Sequence, residues 1–149
     1  MAKNYTICIL FNKELTKTLL IKKIDGKLYG GRYNSLGGKV EPGESLKEAC
    51  IREVWEESDN LISLADPKHI ATLTFPYENP IHLHAFYDVI DQIELPDNRE
   101  GTPQWVDLKF LLDFNNEAVV GNGNLAYFCR LALSTEKNIM TAGKEAASM

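Results

Sequence analysis

"GGKVEPGESLKEACIREVWEESDN", Gly37 to Asn60, decides how the rest of this chain is read. It packs seven acidic residues into one segment that otherwise has the pattern of a turn followed by a helix. Ser45-Leu46-Lys47-Glu48 has S-x-x-E spacing, in which the serine oxygen takes a free helix N–H and the glutamate reaches back, so the spacing predicts a helix start at Ser45. Leu46, Ala49, Cys50 and Val54 recur at i, i+3, i+4 and i+8, which makes one apolar face. Asp59 and Asn60 both tolerate turn conformations, and the helix is expected to end there. Its polar side carries Glu53, Glu56 and Glu57, with no lysine placed to pair them. Two such charges about 5 Å apart repel by roughly 3 kcal/mol at an effective dielectric near 20. A solvated acidic face is one reading. The other is a site for Mg²⁺, with Mn²⁺ as a substitute, because these cations take hard oxygen ligands and share their coordination with substrate phosphates.

Outward from this segment, "YTICILF" and "TLLIKK" read as a strand pair, followed by the glycine-rich loop "DGKLYGGRYNSLGG". After the helix, "HIATLTF" and "IHLHAFYDVI" read as strands around the turn "PYENP", and "QWVDL" as a short strand. "LKFLLDF" reads as a helical turn and "NLAYFCRLALS" as a helix, with a tail expected to fray from about residue 135. Strands, helix, strands, helix predict one α/β (α+β) domain over residues 1–149.

The 149 residues are 44% hydrophobic, enough for a core, and the net charge of −5 opposes binding to nucleic-acid polymers or anionic membranes. A small partner is expected, and the chain as a monomer or homodimer. Cys8, Cys50 and Cys129 are odd in number and far apart, which suggests neither a disulfide framework nor a metal site. Nothing at the N-terminus reads as a signal peptide, no apolar run reaches the roughly 20 residues of a membrane span, and a cytoplasmic location is expected.

Gly38, five residues, Glu44, seven residues, then Arg52-Glu53-Val54-Trp55-Glu56-Glu57 resembles the Nudix box GX5EX7REUXEEXGU, where U is aliphatic. The end departs from it: Asp59 stands at the glycine position and Asn60-Leu61 suggests a one-residue insertion. The resemblance implies a mixed sheet sandwiched between helices and hydrolysis of a nucleoside diphosphate linked to another moiety. It implies Glu53, Glu56 and Glu57 as metal ligands beside the Gly37 carbonyl, Arg52 paired with Glu44, Glu53 as a candidate to polarise water, and Lys39 near the phosphates.

The similarity extends to MutT-type sanitising hydrolases. "GRYNSLGGKV" is similar to their approach loop, which puts Asn34 on the base. "NREGTPQWVDL" is similar to a loop with an additional metal-binding or catalytic glutamate, here Glu100, ahead of a tryptophan, here Trp105. "GNGNLAYF" opens the last helix where such enzymes set an Asn or Asp against the purine, here Asn124. Phe75 and Tyr77 alternate on a strand as a candidate stacking platform. Pro76 and Tyr77 also fall near positions that mark ADP-ribose and dinucleoside-polyphosphate hydrolases. His82 and His84 share a strand face, but no third ligand has zinc spacing. The expected reaction is Mg²⁺-dependent cleavage of a nucleoside triphosphate, purine preferred and 8-oxo-dGTP included, to the monophosphate and pyrophosphate. The alternatives are another NDP-X substrate, such as ADP-ribose or a dinucleoside polyphosphate, and a non-catalytic nucleotide sensor.

Overall fold

The structure, a computed structural model, describes residues 2–24, 26, 30–113, 115–121 and 123–148, with side chains described as far as residue 143. Asp25, Lys27, Leu28 and Tyr29 of the glycine-rich loop, and Phe114, Asn122 and Met149 in later segments, lie outside the described residues. The elements are β1 (Lys3–Phe11), β2 (Lys17–Lys23), β3 (Tyr33–Asn34), β4 (Leu36–Lys39), α1 (Leu46–Glu57), β5 (Lys68–Phe75), β6 (Ile81–Val89), β7 (Gly101–Asp107), α2 (Leu108–Leu111) and α3 (Asn124–Ser148).

Strand alternation divides the core in two. From β1, Ile9 and Phe11 join Leu20, Ala85 and Tyr87 beneath Leu125, Phe128, Cys129 and Ala132 of α3. The intervening Cys8 and Leu10 join Leu19, Ile21 and Phe86 beneath Cys50 and Val54 of α1. The sheet is therefore covered on both faces. It is mixed, since β1 runs parallel to β6 and antiparallel to β2 and β4. This is the α+β architecture, a mixed sheet between helices, that the resemblance implied.

The strand pair at the start is present but meets only near its turn, at Phe11 opposite Thr18. β3 and β4, separated by Ser35, then fill the space between the two strands. β3 pairs with β2 through Asn34 opposite Ile21, and β4 pairs with β1 through Gly38 opposite Thr6. The glycine-rich segment read as loop thus contributes two short strands. Gly37 makes this possible: its φ is 140°, and a Cβ there would lie 2.1 Å from the Thr6 carbonyl oxygen. β7 pairs with the whole of β2, from Lys17 opposite Asp107 to Lys23 opposite Gly101. That pairing carries the loop ahead of β7 to the C-terminal end of α1.

α3 continues through the segment expected to fray, to Ser148. Its last turns are rich in Ala, Lys and Glu, which favour helix, while residues 137–143 are exposed.

Candidate active site

The Ser45 hydroxyl accepts the Glu48 N–H and the Glu48 carboxylate accepts the Ser45 N–H, both at 3.1 Å, which starts α1 where the spacing predicted. Ala49, Cys50 and Val54 are buried in the core, and this turns Arg52, Glu53, Glu56 and Glu57 away from it toward β4 and the adjoining loops. The helix stops at Ser58. Asp59 and Asn60 then take left-handed conformations, with φ of 56° and 61°, so two non-glycine residues do the work of the missing glycine.

Arg52 supplies the cation that lysine spacing did not offer. Its Nε and Nη2 donate to the two oxygens of Glu44 at 2.7 and 3.0 Å. Nη1 donates to Glu53 Oε1 at 2.9 Å and to Glu56 Oε2 at 3.3 Å, and Nη2 also donates to the Lys39 carbonyl at 3.0 Å. The Glu44 partnership holds Arg52 charged and keeps Glu44 below the usual carboxylate range. Repulsion among the glutamates is therefore answered in part within the helix itself. Glu57 is held separately, accepting the Gly37 N–H at 2.7 Å. Gly38 sits so close to Glu53 that a Cβ there would lie 2.6 Å from its carboxylate.

Two of these acids resist ionisation. Burial pushes Glu57 up to about 8, against the opposing Gly37 hydrogen bond, and nearby Glu53 and Glu100 add to the rise. Burial also raises Glu53, with Arg52 opposing.

Glu53, Glu56, Glu57 and Glu100 line one cleft of about 330 Å³, together with Asn34, Gly37 and Gly38. Lys23, Ser35, Asn98 and Arg99 complete the wall and were not singled out from sequence. Lys23 pairs with Glu100 at 2.8 Å. The register of β2 with β7 brings Lys23 beside Glu100, and no local spacing encodes it. Arg52 and Glu44 stand behind the lining and brace it.

Other expected residues are placed elsewhere. Lys39 offers its carbonyl to Arg52, while its side chain is exposed, opposite Tyr5, and does not line the cleft. Phe75 ends β5 opposite Ile81 and stacks on exposed Tyr77 at 6.2 Å, so it is not brought to the cleft. Asn124 opens α3 and is also outside the lining, although the segment ahead of it is bound to the neighbour of Asn34: Tyr33 N–H donates to Ala118 O and Val120 N–H to Tyr33 O. Trp105 donates its indole N–H to Ile93 O at 2.8 Å. His82 and His84 each share Nδ1 with a threonine hydroxyl at 2.9 Å.

Among the described residues no group of three His, Cys, Asp or Glu side chains is gathered closely enough to hold a metal ion by itself. The cleft carboxylates are engaged by Arg52, Gly37 and Lys23. Four carboxylates around one cleft still make a hard oxygen donor set. This fits Mg²⁺ or Mn²⁺, which fill much of their coordination with water and phosphate oxygens.

The chain is 36% identical over 73 residues to an NAD-capped RNA hydrolase of Saccharomyces cerevisiae, covering 48% of this chain and 18% of the relative. It is 33% identical over 82 residues to the oxidized purine nucleoside triphosphate hydrolase of Danio rerio, covering 52% of this chain and 51% of the relative. The chain thus spans about half or less of the curated relatives it matches. Its fold matches the crystal structure of a MutT protein from Methanosarcina mazei with a TM-score of 0.70 at 24% identity, covering 90% of this chain and 95% of the other. The model of the NUDIX domain matches residues 1–122, and the chain belongs to the NUDIX family.

Proposed function

We propose that this protein hydrolyses a nucleoside triphosphate, purine preferred and 8-oxo-dGTP among the candidates, to the monophosphate and pyrophosphate with Mg²⁺ as cofactor. The observation that carries the reading is the cleft itself, with four glutamates on a wall that also presents Lys23 and Arg99. Glu53, Glu56, Glu57 and Glu100 would hold a divalent cation, which when bound would offset charge on the phosphoryl oxygens and make water more acidic. The chain's own residues prepare that step. Arg52 fixes Glu53 and Glu56 in direction, and the Gly37 N–H fixes Glu57. Glu53, raised by burial, is one candidate to polarise the attacking water, beside Glu57 and Glu100. Lys23 and Arg99 face the polyphosphate with positive charge. The Asn34 amide meets the base with donor and acceptor, one lone pair being used by the Ser35 N–H at 3.0 Å. Similarity to the oxidized purine nucleoside triphosphate hydrolase supports the purine reading.

A second reading, cleavage of another NDP-X, is favoured by the similarity to NAD-capped RNA hydrolases over the box segment. The small-molecule substrate and a cytoplasmic setting belong to the same proposal, the latter supported by three buried free cysteines that a reducing compartment keeps unpaired.

A panel of purine and pyrimidine triphosphates, 8-oxo-dGTP, ADP-ribose and a dinucleoside polyphosphate, ranked by kcat/KM, tests the choice. Purine triphosphates are expected to lead, and a lead for ADP-ribose or a dinucleoside polyphosphate transfers the proposal to the second reading. Losing the amide that meets the base costs about 1–3 kcal/mol, or roughly tenfold to hundredfold in kcat/KM, for purines and much less for pyrimidines. Comparing Asn34→Ala with Asn124→Ala on both substrate types assigns that role. Equal losses across all nucleotides in both variants remove both amides from base recognition.

A further inference from the structure

Asn98 lies in the irregular segment between β6 and β7, at the start of the stretch "NREGTPQWVDL", which the sequence singled out for Glu100 and Trp105. Its side chain joins the two halves of the cleft. Nδ2 donates to the Glu57 main-chain carbonyl at 2.8 Å. That carbonyl belongs to the last turn of α1, where the helix itself has no donor to offer. On its other side, Oδ1 accepts the Glu100 N–H at 2.8 Å and the Gly101 N–H at 3.2 Å. The Asn98 N–H donates to the Gly101 carbonyl at 3.0 Å, closing a tight turn around Glu100. Gly101 presses this turn against β2, where a Cβ would lie 2.0 Å from the Lys22 carbonyl oxygen.

We infer that Asn98 is a positioning residue that fixes the Glu100 carboxylate relative to Glu57 by bridging the end of α1 to the turn carrying Glu100. An amide suits the task, because one side chain must donate in one direction and accept twice in the other. Aspartate keeps the acceptor and loses the donor; alanine loses both. The inference rests on the proposed hydrolytic role of the cleft, since it gives Asn98 its effect through Glu100.

The test is a double-mutant cycle with Asn98→Ala, Glu100→Gln and the double variant, following kcat, KM, Mn²⁺ affinity by titration and amide exchange at residues 98–101. Asn98→Ala is expected to lower kcat or Mn²⁺ affinity by about 10- to 100-fold, to change KM less than kcat, and to speed exchange at Glu100 and Gly101. In the Glu100→Gln background the same change should cost little more, because both substitutions remove one function. Asn98→Asp should keep the exchange protection while losing part of the activity, and it carries the test if the alanine variant does not fold. Losses that multiply across the cycle, or an Asn98→Ala protein within about twofold of wild type on every readout, overturn the inference. Wild-type protein that hydrolyses no nucleotide contradicts the proposed reaction instead, and the Mn²⁺ titration then decides the role of Asn98 alone.

Discussion

At Glu57 the chemistry of the cleft can be read through stability. Its pKa rises from 4.5 in the unfolded chain to about 8 in the fold, so between those values the folded state binds the extra proton. The contribution of Glu57 to the stability of the metal-free protein then falls as pH rises through that window, against the opposite contribution of His84, whose burial lowers its pKa. Melting curves in EDTA from pH 5 to 9 should show the decline, and Glu57→Gln should flatten it while lowering kcat by about 10- to 100-fold. A stability difference between wild type and Glu57→Gln that stays constant with pH across the window would contradict the assignment. Gly38, which opens the box, and Gly37, just ahead of it, make a second contrast. At Gly38 an added methyl meets first the end of the Glu53 side chain, which can move, so Gly38→Ala should fold and lose activity. At Gly37 the methyl meets the backbone of β1 at a φ that L residues avoid, so Gly37→Ala should lose on the order of 1–3 kcal/mol of stability. Melting temperature and kcat measured on both variants separate the two effects.

Among the elements, α1 was the most legible, because its cap, apolar face and charged face all follow from spacings of three and four. Ser45→Ala removes the cap and should cost about 1 kcal/mol, or roughly 2–4 °C in Tm, with kcat nearly unchanged, since Ser45 is exposed and outside the cleft lining. A large loss of kcat there would mean that the cap and the catalytic turn are not independent. The longer strands were legible from β-branched and aromatic runs. β3 and β4 were not, because elements of two and four residues owe their existence to partners far along the chain. The same cause hid half the cleft. Lys23 shows no motif, and Asn98 and Arg99 sit beside Glu100 in a stretch that gave them no role; the register of β2 on β7 brings all three to the glutamates. Lys39 is the opposite case: adjacency to Gly38 in sequence suggested the phosphates, while its side chain is exposed and outside the cleft lining.

For the whole molecule, the metal proposal makes stability and turnover depend on the same ion. Mg²⁺ at about 100 times its Kd should stabilise the fold by about 2.7 kcal/mol, a rise of roughly 5–10 °C in Tm, and Glu57→Gln should shrink that rise. The measurement that bears most directly on the central claim is product analysis with the preferred nucleotide, run with Mg²⁺ and with EDTA, on wild type and on Glu57→Gln. The account predicts nucleoside monophosphate and pyrophosphate from wild type with Mg²⁺, and almost none with EDTA or from the variant. Hydrolysis that persists in EDTA, or in Glu57→Gln at the wild-type rate, would contradict it.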